Sequence, residues 1–336
     1  MHCRICQSDR VKEVGAVEFY AGFNWTIWDC ADCGCRFTKH EEAVYDLLHA
    51  EENSSYTRYR ELSALCKKKF DEGDLEGLKA LFSDACKYRF IIDEISRTSR
   101  QTRLLEIGCA RGSLASCFIL GGWPLTGVDV SPEAVKAATA NFGNHFLLFG
   151  STQIEAGAPY DVIYHVGTIG CVADPIGMTR QLLGLLKEGG RLFFNAPNRN
   201  ACWAENQLWF ESAPPPDVVT LFPSGFWRRY FEDVADVAEG IEPSSDERSV
   251  ALDLRRFFGR SWQRPLPMPM NLTAKPFVPP SHLPDAVWNQ FERFFCNLFL
   301  RLGLQRFAPK KPSEYGLLVR MTKKQSASPI QIELNT

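Results

Sequence analysis

The sequence carries no excess of charge of either sign. Lys and Arg number 38 and Asp and Glu 40, a net charge of -2. Holding a nucleic-acid backbone by counterion release needs a basic surplus that is absent here, so only a local basic patch could do it. Long hydrophobic runs are absent too. No stretch of about 18 uncharged apolar residues exists to span a bilayer. The opening Met1-His2-Cys3-Arg4 lacks the apolar region of a secretory signal. A cytoplasmic location is therefore expected, where the 12 cysteines stay as thiols or bind metal rather than pair. The rest is ordinary for a globular protein, with 45% hydrophobic and 23% charged residues. That excludes a disordered chain, a collagen-like chain and a coiled coil. The 336 residues predict about two domains.

The cysteines are unevenly placed. Cys3, Cys6, Cys30, Cys33 and Cys35 all fall in the first 35 residues. Two residues separate Cys3 from Cys6, 23 separate Cys6 from Cys30, and two separate Cys30 from Cys33. Such spacing lets two tight turns present four thiolates to one tetrahedral Zn²⁺. Gly34 supplies a small residue where backbone amides face sulfur. The intervening stretch is strand-like, with Phe19, Tyr20, Phe23, Trp25, Ile27 and Trp28. The pattern predicts a zinc ribbon with Cys3, Cys6, Cys30 and Cys33 as ligands. Cys35 is a spare that could replace Cys33. A four-thiolate site has no open coordination position, so the metal would be structural and supply much of the ribbon's folding energy. A redox dithiol is the competing reading.

From about Glu41 to Arg97 leucines and phenylalanines recur at helical spacings. Lys67-Lys68-Lys69 reads as a solvated helix face. Leu104, Leu105 and Ile107 then form an apolar strand that runs into a turn of small residues, with a helix from about Ser113. The turn lets backbone approach a ligand, and the helix start presents free amides. A second strand, Leu125 to Asp129, ends in an acid 21 residues after Gly108. A carboxylate there accepts hydrogen bonds from ribose hydroxyls. Ser131 and Pro132 then cap and open the next helix. A nicotinamide fingerprint needs glycine at its first, third and sixth places. Those places hold Gly108, Ala110 and Ser113, so the fingerprint fails at two of them.

The turn Glu106-x-Gly108-x-Ala110-x-Gly112 instead resembles the S-adenosylmethionine (SAM) turn of class I methyltransferases. Ala110 replaces the usual middle glycine. Further motifs follow in the family's order: a third strand His145 to Gly150, a fourth Asp161 to Val166, and Leu186 to Phe194 with its Gly189-Gly190 turn. Gly316 to Met321 reads as the final antiparallel strand. Cys171-Val172-Ala173-Asp174-Pro175 is similar to a segment that ends in Glu-His-Val-x-Asp-Pro in ubiquinone-type relatives, but Gly170-Cys171 replaces the Glu-His pair. A histidine often proposed as a base in those relatives is thus missing. The zinc ribbon in front is similar to a subset of these enzymes that modify sugars or natural products.

The resemblance implies an α/β, Rossmann-like seven-stranded methyltransferase sheet with an N-terminal zinc ribbon and a C-terminal insertion or lid. The expected division is a ribbon at 1–40, a helical linker or cap at 41–100, a SAM-binding core at 101–200, an acceptor-binding insertion or lid at 201–315, the final strand at 316–324 and a polar tail at 325–336. Glu106, Gly108, Ala110 and Gly112 would serve the methionine part, Asp129 and Val130 the ribose side, and Ser151 and Thr152 the adenine edge, with Val166 nearby. Tyr56 and Tyr59 would cover the cofactor. Trp203, Trp209, Phe210 and Asp217 follow the fifth strand, where an acceptor loop is expected. His165 and Asp217 are the candidate bases. Against each stands a plain reading, a buried neutral histidine and a turn aspartate. The helix expected from Pro284 to Leu302 could pack in the core, form a lid or dimer surface, or lie on a membrane.

The implied activity is methyl transfer from SAM to a small-molecule acceptor: a sugar derivative, a natural product or a lipid-linked intermediate. The charge balance argues against nucleic acid, and a homodimer stays open. RNA methylation, and SAM binding without turnover by an interaction protein, are the alternatives.

Overall fold

The structure is a computed structural model that describes residues 1–20, 23–39, 57–83, 85–204, 208–210, 213, 215–241, 294, 298 and 316–325. The chain opens with two antiparallel strands, β1 (Val11–Tyr20) and β2 (Phe23–Cys30), followed by β3 (Arg36–Phe37). Three helices come next, α1 (Thr57–Asp71), α2 (Leu75–Ala80) and α3 (Cys86–Ser96). Strands and helices then alternate: β4 (Leu104–Ile107), α4 (Ala115–Leu120), β5 (Leu125–Asp129), α5 (Pro132–Phe142), β6 (Phe146–Leu148), α6 (Gln153–Ala156), β7 (Tyr160–His165), α7 (Pro175–Leu185) and β8 (Leu186–Pro197). The chain continues through α8 (Arg199–Ala204), β9 (Thr220–Leu221), α9 (Phe226–Phe231), β10 (Ala235–Ile241) and β11 (Gly316–Lys323).

Seven strands form one mixed sheet in the order β10-β11-β8-β7-β4-β5-β6. The central pairs are parallel, whereas β11 runs antiparallel to both β8 and β10. A sheet covered on both faces buries its strands on both sides, and β4 has all four residues buried, Leu104, Leu105 and Ile107 with the carboxyl of Glu106 among them. Leu105, Ile163 and Phe194 point to one face, Leu104, Val162, Tyr164 and Phe193 to the other. The second face is covered by α1 to α5. The first is covered by α6, α7 and α9, and also by Cys3, Ile5, Cys30, Cys33, Cys35 and Phe37 of the N-terminal unit. The ribbon and the sheet therefore share one apolar core.

Local caps follow the sequence. The Ser131 hydroxyl accepts from Ala134 N at 3.2 Å with Pro132 at the first helical position. Asp174 does the same for α7 from Gly177 N at 2.8 Å. Helix α9 differs. Gly225 occupies its cap position in the left-handed region with no side-chain cap of its own. Glu239 on β10 reaches over instead, accepting from Gly225 N at 2.6 Å, Trp227 N at 2.9 Å and Arg228 N at 3.1 Å.

Two boundaries differ from the sequence reading. The ribbon sheet has the order β1-β2-β3-β9, so its fourth strand comes from residues 220–221, far beyond position 40. Residues 235–241, expected inside an insertion, form the edge strand β10 of the main sheet. The expected helix from Pro284 to Leu302 lies outside the described residues apart from Phe294 and Leu298, both exposed. No helix among the described residues is long and apolar enough to cross a membrane.

Candidate cofactor and metal sites

The four thiols predicted as ligands converge. The Sγ atoms of Cys3, Cys6, Cys30 and Cys33 all lie within 4.8 Å of one another. Cys3 to Cys33 and Cys6 to Cys30 are both 3.6 Å. A tetrahedron with metal–sulfur bonds of about 2.3 Å has edges of about 3.8 Å, so the cage fits a single ion. Two tight turns build it: Gln7 N donates to Cys3 O at 2.9 Å and Gly34 N to Cys30 O at 3.1 Å. Ile5 N faces the Cys3 sulfur at 3.4 Å, the amide support a thiolate needs. Without an ion, the neighbouring Cys33 sulfur and then burial push the Cys3 thiol up. Four soft donors with none of them water describe a closed, structural site. Cys35 is fully buried beside this cage, and burial raises its thiol as well.

The second site stands at the carboxyl ends of β4 and β5. Strand β4 ends at Ile107 and the chain turns at once, with Gly108 and Gly112 at φ of +70° and +76°. A Cβ at Gly108 would lie 2.5 Å from Thr168 Oγ1, and one at Gly112 would lie 2.7 Å from Phe146 Cζ. Only glycine meets both demands. Ala110 also sits in the left-handed region, at φ +46°. What holds it there is Asp129: its Oδ2 accepts from Ala110 N at 2.8 Å while Oδ1 accepts from Ser131 N at 3.0 Å. One carboxylate at the tip of β5 thus fixes both the turn and the start of α5.

The strain at Ala110 gives a direct prediction. An L-residue in this region costs about 1–2 kcal/mol, partly offset on replacement by the ~0.4–1 kcal/mol that glycine's extra unfolded-state freedom costs. Ala110→Gly is expected to leave thermal stability unchanged or raise it by up to ~1 kcal/mol. Ala110→Val, with a branched Cβ, is expected to lower it by roughly 1–2 kcal/mol. Thermal unfolding of both variants checks the pair of signs.

Glu106 faces the interior. It lies opposite Tyr164 across the β4–β7 pair, and its Oε2 accepts from the Tyr164 hydroxyl at 3.1 Å. Burial, reinforced by the charge of Asp129, pushes its carboxyl up to about 8. It backs the turn and holds a proton at neutral pH. Beyond Asp129, two apolar side chains are left to solvent: Val130 at 67% exposure and Phe149 at 56%. The Phe149 amide donates to Asp129 O at 2.8 Å, which sets the two close together. Exposed apolar groups beside a buried turn form a ready face for a flat ring. Phe149 was missed from sequence because it reads as one more residue of an apolar strand. Ser151 is half-buried and Thr152 exposed just past it, with Ser151 Oγ accepting from Gln153 N at 3.3 Å. Val166 is half-buried after β7. Tyr56 and the Tyr59 side chain lie outside the described residues.

The candidate bases part company. His165 is fully buried, its ring stacked on Phe194 with centroids 4.7 Å apart. Neither ring nitrogen has a hydrogen-bond partner among the described residues, and burial pulls the imidazole down to about 3. The histidine is a neutral core residue in this geometry and is not brought to the turn. Asp217 is half-buried and does meet the loop after β7: the Cys171 thiol donates to its carbonyl oxygen at 2.8 Å. Burial, and then the Asp217 charge, push that thiol up to about 12. A side chain on residue 170 has no room, since a Cβ would lie 2.7 Å from Pro197 Cγ and 3.3 Å from Val218 Cγ1. The Glu-His pair is therefore replaced by a packed wall. Trp209 and Phe210, expected in an acceptor loop, are instead buried against Trp25, Ile27 and Leu221. The apolar face of the ribbon sheet needs that cover.

Residues 81–234 match the sequence model of a methyltransferase-domain family. Residues 81–234 form a methyltransferase domain. Similar curated proteins include a ubiquinone biosynthesis O-methyltransferase from Nitrosospira multiformis, 28% identical over 170 residues, covering 47% of this chain and 66% of that protein. Another, from Nitrosomonas europaea, is 31% identical over 117 residues, covering 32% of this chain and 49% of the relative. The chain thus spans about half to just under two thirds of these curated relatives. A solved plantazolicin methyltransferase, in complex with a triazolic desmethylPZN analog and SAH, is 16% identical with a TM-score of 0.40, covering 80% of this chain and 99% of that one. In the methyltransferase domain, SAM is the cofactor that the family implies. Its turn, Asp129 and the exposed Val130–Phe149 face lie at the carboxyl ends of adjacent strands, where open α/β sheets bind ligands.

Proposed function

We propose that the protein transfers a methyl group from SAM to a small-molecule acceptor, with a structural zinc ion in the ribbon. The observation that carries this reading is the Glu106–Gly112 turn, whose left-handed Ala110 donates its amide to Asp129 Oδ2 beside an exposed apolar face. Bound SAM supplies an activated methyl on a sulfonium, so the cofactor carries the reactive charge and the protein's share is positioning. Backbone at Gly108, Ala110 and Gly112 approaches the amino-acid part, Asp129 takes the ribose hydroxyls with its remaining lone pairs, and Val130 and Phe149 flank the ring. Ser151 and Thr152 stand at the adenine edge. The acceptor enters over the loops after β7 and β8. There Asp217 is the candidate to take a proton, while His165 serves packing.

The names of the curated relatives support O-methylation of a small molecule. Four thiolates with no open position support zinc held for structure. The test is transfer of label from methyl-labelled SAM to a panel of small hydroxylated and carboxylated acceptors, beside total RNA over a salt series. Label on a small molecule is the expected result. Label on RNA, with affinity falling steeply as salt rises, would overturn the acceptor class.

A further inference from the structure

One side chain of the N-terminal ribbon reaches the loop after β7. Arg4 lies between the metal-ligating thiols Cys3 and Cys6. Its guanidinium leaves the knuckle and donates to two carbonyls, Thr38 O and Val172 O, each at 3.2 Å. Val172 belongs to the loop between β7 and α7, 168 residues away in sequence. Next to it, the Cys171 thiol donates to Asp217 O at 2.8 Å. The carbonyl of Gly170 accepts from Val219 N at 2.9 Å and Thr220 N at 3.1 Å. Thr38 closes the circuit, donating its own amide to Val219 O at 3.0 Å and its hydroxyl to Thr26 O at 2.8 Å. The knuckle, the end of β3, the loop after β7 and the segment before β9 are thus joined in one junction, and the Arg4 guanidinium bridges two of these segments.

We propose that Arg4 is a positioning residue for the acceptor side of the site: the metal knuckle fixes Arg4, and Arg4 fixes the loop that carries Cys171 against Asp217. The guanidinium suits this task. It is planar and always charged, and it offers several donors from one rigid head, so it can hold two carbonyls of different segments at once. A metal cage restrains its backbone on both sides, which lowers the ordering cost of the side chain. The ribbon on this account is a brace built into the active-site wall rather than an appended module. The acceptor role rests on the methyl-transfer reading; the brace itself does not.

The test uses the zinc-loaded full chain and its Arg4→Met and Arg4→Lys variants. Three quantities are read: zinc content, affinity for S-adenosylhomocysteine, and the rate at which iodoacetamide labels Cys171 and Cys117, mapped by peptide mass spectrometry. Arg4→Met keeps the stem and loses the donors. It is expected to retain one zinc, to bind S-adenosylhomocysteine within roughly twofold of wild type, and to label Cys171 about tenfold or more faster while Cys117 stays protected. Arg4→Lys, with charge and one head group, falls between. A general loss of packing would expose Cys117 in step with Cys171, and that result overturns the proposal. So does an unchanged Cys171 rate, or loss of zinc from Arg4→Met. If Arg4→Met does not fold, Arg4→Lys decides by the same selectivity. A wild type that binds no S-adenosylhomocysteine but shows selective Cys171 exposure would remove the methyl-transfer reading and leave the brace.

Discussion

Replacing Glu106 by Gln stabilises the protein strongly at pH 8 and by less than about 1 kcal/mol at pH 5. The reason is the buried carboxyl behind the turn. Its ordinary value of 4.5 is raised to about 8 in the folded chain, first by burial and then by the charge of Asp129. The unfolded chain gives up this proton from about pH 4.5 upward, whereas the folded chain keeps it. Folded protein therefore holds more protons than unfolded across that window, and stability falls as pH rises through it. The contribution is present in full below the unfolded value and is lost as pH passes about 8. A shift of this size corresponds to on the order of 4 kcal/mol at pH 8. Gln keeps the shape and still accepts from the Tyr164 hydroxyl, so it removes the ionisation cost without opening a hole. Thermal unfolding at the two pH values reads the effect, with a rise of roughly 10 °C expected at pH 8. An equal shift at both values would mean that Glu106 is not the titrating group.

The second large effect is at the metal cage. Cys3→Ala is expected to abolish zinc binding and, with it, the cooperative fold of much more than the ribbon. Structural zinc contributes roughly 10–16 kcal/mol to small finger peptides, against a whole-protein stability of about 5–15 kcal/mol. Here Cys3, Cys30 and Cys33 share one core with Phe194, Trp227 and Val319 of the main sheet. Loosening the cage therefore loosens the sheet face beneath it. Cys35→Ala is the matched control, since Cys35 is equally buried in the same core but stands outside the set of four. It is expected to retain one zinc per chain and to lose only about 1–2 kcal/mol. Zinc content with thermal unfolding separates the two variants. A Cys3→Ala protein that unfolds like Cys35→Ala would show that the four thiols hold no structural ion.

The parts legible in the sequence are those set by short-range chemistry. The two Cys-x-x-Cys turns, the Glu106–Gly112 turn, the acid ending β5 and the cap at Ser131 each announce themselves within a few residues. The parts that were not legible depend on distant partners. Strand β9 is two residues long and exists only because β3 is there to pair with. Strand β10 reads Ala-Asp-Val-Ala-Glu-Gly-Ile, a weak strand former that gains its place by pairing along β11. His165 could not be assigned a face, because a parallel strand buried on both sides has no polar alternation to show which side is which. Trp209 and Phe210 read as acceptor aromatics until the apolar face of β2 is seen to need them. The Glu239 cap of α9 and the Arg4 bridge to Val172 join residues 11 to 168 positions apart, beyond any local signal.

The most direct test of the central claim is calorimetric titration of the zinc-loaded full chain with S-adenosylhomocysteine, with NAD⁺ run alongside. The account predicts one site per chain for S-adenosylhomocysteine and no heat of binding for NAD⁺. Binding of NAD⁺ alone, or of neither, would contradict it, because the turn held by Asp129 would then serve some other ligand or none.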